Sequence, residues 1–412
     1  MLEAPLTLPS GLTLPNRIAK AAMTEALADE DNQPGELLGR LYARWSAGGV
    51  GLLITGNAMI DRRYLERTGN VVLDERTDRA ALARWATAAC SGGARAIVQL
   101  SHPGRQVSRF IAPTPLAPSA VEAVKVGAAF GKPRALTEPE IEDIIARFAS
   151  AAAMVEEAGF DGVEIHAAHG YLLSQFLSPR VNQRSDTWGG SLDRRARLLL
   201  AVIEAVRAGT GPTFTVGVKL NSSDFQHGGF DMDASLAVLA MLNTAGVDFV
   251  EISGGNYESP RLLVADPPAA ARREAREAYF AEYAERARGT CTVPLMLTGG
   301  LRRRSTMEAM LAEGSVDLIG LARPLAFDPD IPRKLLDGSA EVAEAPVQSI
   351  GIATLAAAVE AGWYGAQITR LAHGQPVDPN ASVWGAVWDA LVAESWRGRA
   401  HRRRLERASD NP

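Results

Sequence analysis

Cysteine is nearly absent from this 412-residue chain. Cys90 and Cys291 are the two present, far apart and in no pair motif. That excludes a cysteine-ligated iron–sulfur cluster and a disulfide framework, and it fits a reducing cytoplasm. Neither sign of charge dominates. Lys and Arg number 43 against 48 Asp and Glu, a net charge of −5, which leaves no electrostatic footprint for nucleic acid. Long apolar runs are missing as well. The longest, Ile350 to Val359, stops at Glu360, short of the ~18 residues a membrane span requires. Met1 to Asn16 has no basic stretch leading into an apolar one, so no secretory leader is legible. What remains is an ordinary globular composition, 47% hydrophobic and 22% charged. Its length suits one α/β barrel as well as several average domains.

A phrase recurs along the chain: AGGVGLLIT at 47–55, AGFDGVEI at 158–165, AGVDFVEI at 245–252 and EGSVDLIGL at 313–321. Each reads as a helix ending at glycine, a short turn and a buried strand. The helices carry matching signals. Thr137 opens one as an N-cap with Glu140 three residues on, followed by Ile141, Ile144, Ile145, Phe148, Ala152 and Val155 at helical spacing. Ser191 opens another, with Leu198, Leu199, Val202 and Val206 on its apolar face. Eight short apolar strands are predicted, at 17–22, 50–55, 95–100, 160–165, 214–220, 247–252, 293–298 and 316–321. Most lack alternation, the mark of parallel strands covered by helices. Eight such units favour an α/β fold of the (β/α)8 TIM-barrel type over an open doubly wound sheet, which the periodicity alone also permits. LTLPSGLTL at 6–14 reads as a hairpin closing the barrel floor. Two helices are predicted after the barrel, over 349–373 and 382–407, broken by HGQPVDPN. The division is therefore a barrel at 1–340 and a C-terminal helical extension at 341–412, packed on the barrel or on a partner subunit.

In such barrels the chemistry sits at the C-terminal ends of the strands. The residues there are Met23 and Thr24, Thr55 and Gly56, Gln99 and His102, then His166, His169 and Tyr171. Lys219 and Asn221, Ser253 with Gly254 and Gly255, Gly299 with Gly300, and Ala322 with Arg323 follow on the later strands. Gly299-Gly300 exposes backbone amides before a helix start, and Arg323 adds a guanidinium, so the last two loops read as a phosphate site. His166 and His169 lie three apart, a spacing that puts both rings on one face if the turn is helical. They could donate jointly to a substrate oxygen, bind zinc or act as caps. Zinc would need a third ligand, and only six histidines exist, with Asp224 the one carboxylate near a strand end. No metal is therefore expected. Trp396 to Arg407 carries a basic run that reads as a solvated helix end or an oligomer contact, and a Trp363–Tyr364 pair left exposed would favour a subunit contact.

The run VEIHAAHGYLLSQFLSPRVNQRSDTWGGSLDRRARLLL at 163–200 closely resembles the Old Yellow Enzyme family of NADH:flavin oxidoreductases. LPNRIAKAAMTE at 14–25, QLSHPGRQ at 99–106, APSA at 117–120, VGVKLNSSDF at 216–225, LTGGL at 297–301 and VDLIGLARPLAFDPD at 316–330 follow the family in order. The resemblance implies a barrel holding non-covalent FMN, with NADH or NADPH as co-substrate. It implies hydride transfer from flavin N5 to the C=C bond of an α,β-unsaturated carbonyl or similar activated alkene. Thr24, with Met23 beside it, matches the contact to flavin O4 and N5, Gly56 the small residue under the ring, and Gln99 the pyrimidine edge. Lys219 matches the cation near N1 and O2. Ser253, Gly254, Gly299, Gly300, Ala322 and Arg323 match ribityl and phosphate positions. His166 and His169 match the pair that holds a carbonyl oxygen, and Tyr171 the donor to the α-carbon. Four residues depart from the family pattern: Ala22 for Pro, Thr24 in place of Cys, Lys219 for Arg and Ala322 for Gly. They put the flavin's potential in question more than its binding. The absence of a cysteine-rich cluster makes the multidomain dienoyl-CoA reductase activity of some relatives unexpected. Oxidative use on an amine, by dehydrogenation or demethylation, is the alternative within the family; a metal-dependent barrel hydrolase lies outside it. The physiological alkene, the choice of nicotinamide and any homo-oligomer are not legible.

Overall fold

Each of the eight predicted strands is extended in the structure, a computed structural model that describes residues 1–123, 130–253, 279, 282–346, 356–388 and 392–409. They are β1 (Ile18–Lys20), β2 (Leu52–Ile54), β3 (Arg95–Ser101), β4 (Gly162–Ala167), β5 (Thr215–Asn221), β6 (Phe249–Ser253), β7 (Leu295–Thr298) and β8 (Leu318–Leu321). Each pairs in parallel with the next, β8 returns to β1, and the (β/α)8 barrel closes. Helices α1 (Glu36–Ala47), α2 (Arg79–Cys90), α3 (Glu138–Glu157), α4 (Leu172–Leu177), α5 (Leu192–Ala208), α6 (Met232–Leu242) and α7 (Arg304–Ala312) lie between strands. The short α8 (Arg323–Phe327) and α9 (Ile331–Leu336) follow β8.

The recurrent phrase works through one glycine. Gly49, Gly159, Gly246 and Gly314 all have φ between +71° and +91°, the left-handed region a side chain disfavours. There the chain leaves a helix and enters a strand. Glu140 accepts the Thr137 N–H at 2.9 Å, as the capping pattern predicts, and α3 buries Ile141, Ile144, Phe148, Ala152 and Val155.

The two faces of the strands differ. Outward residues such as Val98, Val163, Ile165 and Val250 join the large core beneath the helices. Inward residues fill the lumen in layers. Leu52, Ile54, Ile97, Phe249, Met296 and Leu318 form an apolar lower layer, closed below by Leu8 and Leu14 of the 6–14 hairpin. Polar side chains of the upper lumen lie above it. Gly217 faces the Phe249 ring, and a Cβ there would come within 2.2 Å of it. Gly217→Ala is therefore expected to lower stability by about 1–3 kcal/mol through overpacking, read as a lower urea midpoint.

After the barrel, α10 (Ala356–Ala372) packs on α1 and α8. Trp363 and Tyr364 are buried within the chain, Trp363 beside Phe327 and Tyr364 donating to the Pro346 carbonyl at 2.7 Å. They are thus not the exposed pair a subunit contact would call for. The helix predicted over 382–407 is seen as α11 (Val383–Trp388) and α12 (Glu394–Ser409). Residues 389–391 and 349–355 of the two predicted helices lie outside the described residues. The basic run on α12 is anchored on the barrel: Arg404 donates to Glu30 at 2.8 Å, and the His401 ring nitrogen lies 2.9 Å from the Arg62 carbonyl. No helix among the described residues is long and apolar enough to cross a membrane.

Candidate active site

At the C-terminal mouth one cavity of about 310 Å³ is lined by Met23, Thr24, Gln99, His166, His169, Tyr171, Lys219 and Arg323. Side chains from the ends of β1, β3, β4, β5 and β8, up to 300 residues apart in sequence, thus meet in one place. Gly56, Ser253, Gly299, Gly300 and Ala322 stand at the neighbouring strand ends without lining it, and Gly254 lies outside the described residues. Asn57, Glu66, Arg67, Glu360, Tyr364 and Ile368 also line it. None of these six is among the strand-end residues that the sequence predicts for the site. Asn57 directly follows the glycine at the end of β2. Glu360 is the charge that ends the chain's longest apolar run.

The first loop is held by a buried ionic cluster. Lys20 Nζ donates to the Ile54 carbonyl at 2.8 Å and to Glu25 at 3.4 Å, and Glu25 also takes the Tyr42 hydroxyl and the Gly56 N–H. Burial pushes the Lys20 ammonium down, with Glu25 opposing. A Cβ on Gly56 would fall 2.1 Å from Glu25 Oε2 and 2.2 Å from the Met23 carbonyl. Glycine is thus required here by the loop that carries Met23 and Thr24. Thr24 donates its hydroxyl hydrogen to Glu66 at 3.0 Å.

His166 belongs to β4 itself and His169 lies beyond it. The turn between them is not helical, contrary to the spacing argument. His169 has φ +58° and Gly170 φ +76°, so a left-handed kink swings the second imidazole back beside the first. Their ring centroids are 5.2 Å apart, and the Tyr171 ring is 4.8 Å from His166. Strained turns persist where their surroundings fix them. Here Asn221 Oδ1 accepts the His169 N–H at 3.1 Å, Gln106 donates to the His169 carbonyl at 3.0 Å, and Gln175 donates to Gly170 at 2.7 Å. His166 Nδ1 accepts the Ala168 N–H at 3.4 Å, which leaves Nε2 as the ring donor. His169 Nε2 lies 2.8 Å from Ser253 Oγ. Ser253, matched by resemblance to the ribityl chain, thus orients His169. His102 is elsewhere, buried against Tyr64 with Nδ1 accepting from Gly104.

Both site histidines are neutral at ordinary pH. Burial first, then His169 and the Lys219 ammonium, hold His166 well below its usual value; burial and Lys219 bring His169 down to about 3. A nearby ammonium also makes the pair a poor seat for a metal cation and a good one for a developing oxyanion.

At the other end Gly299 and Gly300 have φ +124° and +81°, ahead of the nine-residue α7. Arg323 donates to Glu360 of α10, so the guanidinium read as a phosphate ligand already has a carboxylate partner. Ala322 has φ −117°, so its replacement of glycine places no side chain in the left-handed region.

A parallel barrel with this mouth is a flavin-binding scaffold, and comparison with known proteins agrees. The chain belongs to the NADH:flavin oxidoreductase / NADH oxidase family, whose pattern matches residues 2–341. It is similar to the NADH-dependent flavin oxidoreductase iliE of Hypocrea jecorina (strain QM6a), 41% identical over 357 residues that span 81% of this chain and 88% of that protein. Among solved structures it is similar to the old yellow enzyme homologue from Zymomonas mobilis, with TM-score 0.70, 27% identity, and coverage of 82% of this chain and 93% of that one. It is similar also to morphinone reductase in complex with tetrahydroNAD, with TM-score 0.69, 28% identity, and coverage of 84% and 92%. The protein is accordingly an FMN-dependent oxidoreductase that uses NADH or NADPH as co-substrate.

The residues present fit that cofactor. The cavity lining includes two cations, Lys219 and Arg323, and two amide side chains, Asn57 and Gln99. Asn57 Oδ1, buried at its wall, has no donor from the protein, as suits an acceptor for a ligand N–H.

Proposed function

We propose that this site reduces the C=C bond of an α,β-unsaturated carbonyl or similarly activated alkene. The observation that carries the reading is the convergence of two neutral imidazoles and a phenol on one wall of the cavity, beside an ammonium. When bound, FMN supplies hydride, taken from NAD(P)H, to the β-carbon. His166 and His169 hold the carbonyl oxygen and stabilise the negative charge that develops there, as preorganised donors do. Tyr171 delivers a proton to the α-carbon. Gln99 and Lys219 would hold the pyrimidine edge of FMN, Met23, Thr24 and Gly56 its ring, and Ser253 and Gly254 its ribityl side. Gly299, Gly300, Ala322 and Arg323 would hold its phosphate. Residues 1–340 make up the FMN-binding unit in this reading, with 341–412 as its extension. A stopped-flow experiment tests it: NADH should bleach the flavin without alkene, and an enone should restore its colour anaerobically. Bleaching that needed the enone present, or bleaching by an amine instead of NADH, would sink it.

Two smaller effects follow. Arg323→Ala removes a charge-assisted donor worth about 1.5–3 kcal/mol, so the FMN dissociation constant, read by flavin fluorescence, should rise by roughly ten- to a hundredfold. Because His169 is held at about 3 and His166 is likewise neutral, the rate of alkene reduction should show no histidine inflection between about pH 5 and 8. A fall in rate below about pH 6.5, the ordinary histidine value, would show that these imidazoles titrate.

A further inference from the structure

Beneath the mouth the lumen holds two carboxyl groups that the chemistry above does not use. Glu164 on β4 and Glu251 on β6 are both 0% exposed. Strand register sets Gln99 opposite Glu164 and Lys219 opposite Glu251. Gln99 Nε2 donates to Glu164 Oε2 at 2.5 Å, and Lys219 Nζ to Glu251 Oε1 at 2.6 Å. The other two oxygens, Glu164 Oε1 and Glu251 Oε2, are buried without a protein N–H or O–H donor. The two carboxyl groups act on each other inside the lumen, with the Thr298 hydroxyl beside Glu251, and two carboxyl oxygens can share a hydrogen bond only when one of them carries a proton.

We propose that Glu164 and Glu251 share a single proton, and that this buried acid pair sets the charge Lys219 presents to the pyrimidine edge of bound FMN. The inference rests on the reading that places Gln99 and Lys219 at that edge.

Charge counting supports it. Two carboxylates and one ammonium would leave an uncompensated negative charge in a sealed lumen, which is costly; one proton makes the cluster neutral. Glu164 is the holder. Burial, then the charge of Glu251, pushes it well above the usual carboxylate range, whereas Lys219 opposes the burial of Glu251 and keeps it ionised. The remaining charges nearby are Lys20, which acts on Lys219 and Glu251, and Glu25, which is already paired with Lys20. A neutral Glu164 donates to Glu251 and still accepts from Gln99, so one proton fixes the Gln99 amide and leaves Glu251 free to offset Lys219. A bare cation at the pyrimidine edge favours reduced, anionic FMN. An offset cation favours it less. Glu251 and Glu164 are in this sense positioning residues for the redox step.

The test is the two-electron potential of FMN in the holoenzyme, with flavin content checked by absorbance. Glu251→Gln should favour the reduced over the oxidised cofactor by at least tenfold, about 30 mV upward for a two-electron couple. Glu164→Gln, neutral for neutral, should stay within threefold and should abolish a carboxylic-acid C=O band in the infrared spectrum. Lys219→Met should lower the potential and add a second such band as Glu251 takes up a proton. That variant carries the test should Glu251→Gln not fold. If Lys219→Met lowers the potential while Glu251→Gln leaves it unchanged, the charge-setting role is wrong and the flavin placement stands. If neither moves it, the placement of Lys219 at the flavin is wrong and this inference falls with it. A Glu164→Gln shift as large as that of Glu251→Gln, or no acid band in the wild type, would show both groups ionised and overturn the shared proton.

Discussion

A Tyr171→Phe enzyme should accept electrons from NADH at the wild-type rate and pass them to an enone about 10²–10⁴-fold more slowly, the range a positioned proton donor contributes. The asymmetry is the informative part. The phenol is buried at the start of α4, edge-on to His166 and facing the cavity. Phenylalanine preserves that packing and removes only the hydroxyl. NADH oxidation needs no proton from this group, whereas the alkene needs one at its α-carbon. Equal slowing of both half-reactions, seen by single-turnover absorbance, would show that Tyr171 shapes the cavity and delivers no proton.

Removing an imidazole should cost about 10²–10³ in alkene reduction, the loss seen when one oxyanion donor is deleted. The two variants should differ. His166→Ala deletes a donor from a regular strand and leaves the backbone at rest. His169→Ala also places alanine at φ +58° and strands Ser253 Oγ. It should therefore lose stability as well as rate. His169→Asn restores a short side chain that tolerates the left-handed region and keeps an N–H donor, so it should recover part of the rate and most of the stability. Indistinguishable rates for His169→Asn and His169→Ala would show that the second imidazole acts through the loop, with no donation to the substrate.

The architecture was legible because parallel strands must be buried on both faces. Their apolar runs mark the eight barrel strands, and the glycines at 49, 159, 246 and 314 mark the turns into β2, β4, β6 and β8. The mouth was legible because barrels expose chemistry at strand ends, and Met23, Thr24, Gln99, His166, His169, Tyr171, Lys219 and Arg323 line a single cavity. Glu164 and Glu251 were not legible as site residues because they lie within strands, short of the ends where barrels expose chemistry. The pleat that turns His166 inward turns Glu164 inward too. The loop geometry at His169 needed coordinates, since spacing alone cannot tell a helical turn from a left-handed kink. The roof of the cavity was hidden for a different reason. Glu360 and Tyr364 belong to a helix whose sequence is amphipathic in the ordinary way, and only tertiary packing brings it over Arg323.

The destinations of the two hydrogens distinguish hydride transfer from protonation at this site. With NADH deuterated at the transferred position, an enone and ordinary water, the product should carry deuterium at the β-carbon. With ordinary NADH in deuterated water, it should carry deuterium at the α-carbon, and Tyr171→Phe should slow formation of that product. Flavin that NADH bleaches but no activated alkene reoxidises, or product labelled at the β-carbon from water, would contradict a site in which His166 and His169 hold the oxygen and Tyr171 supplies the proton.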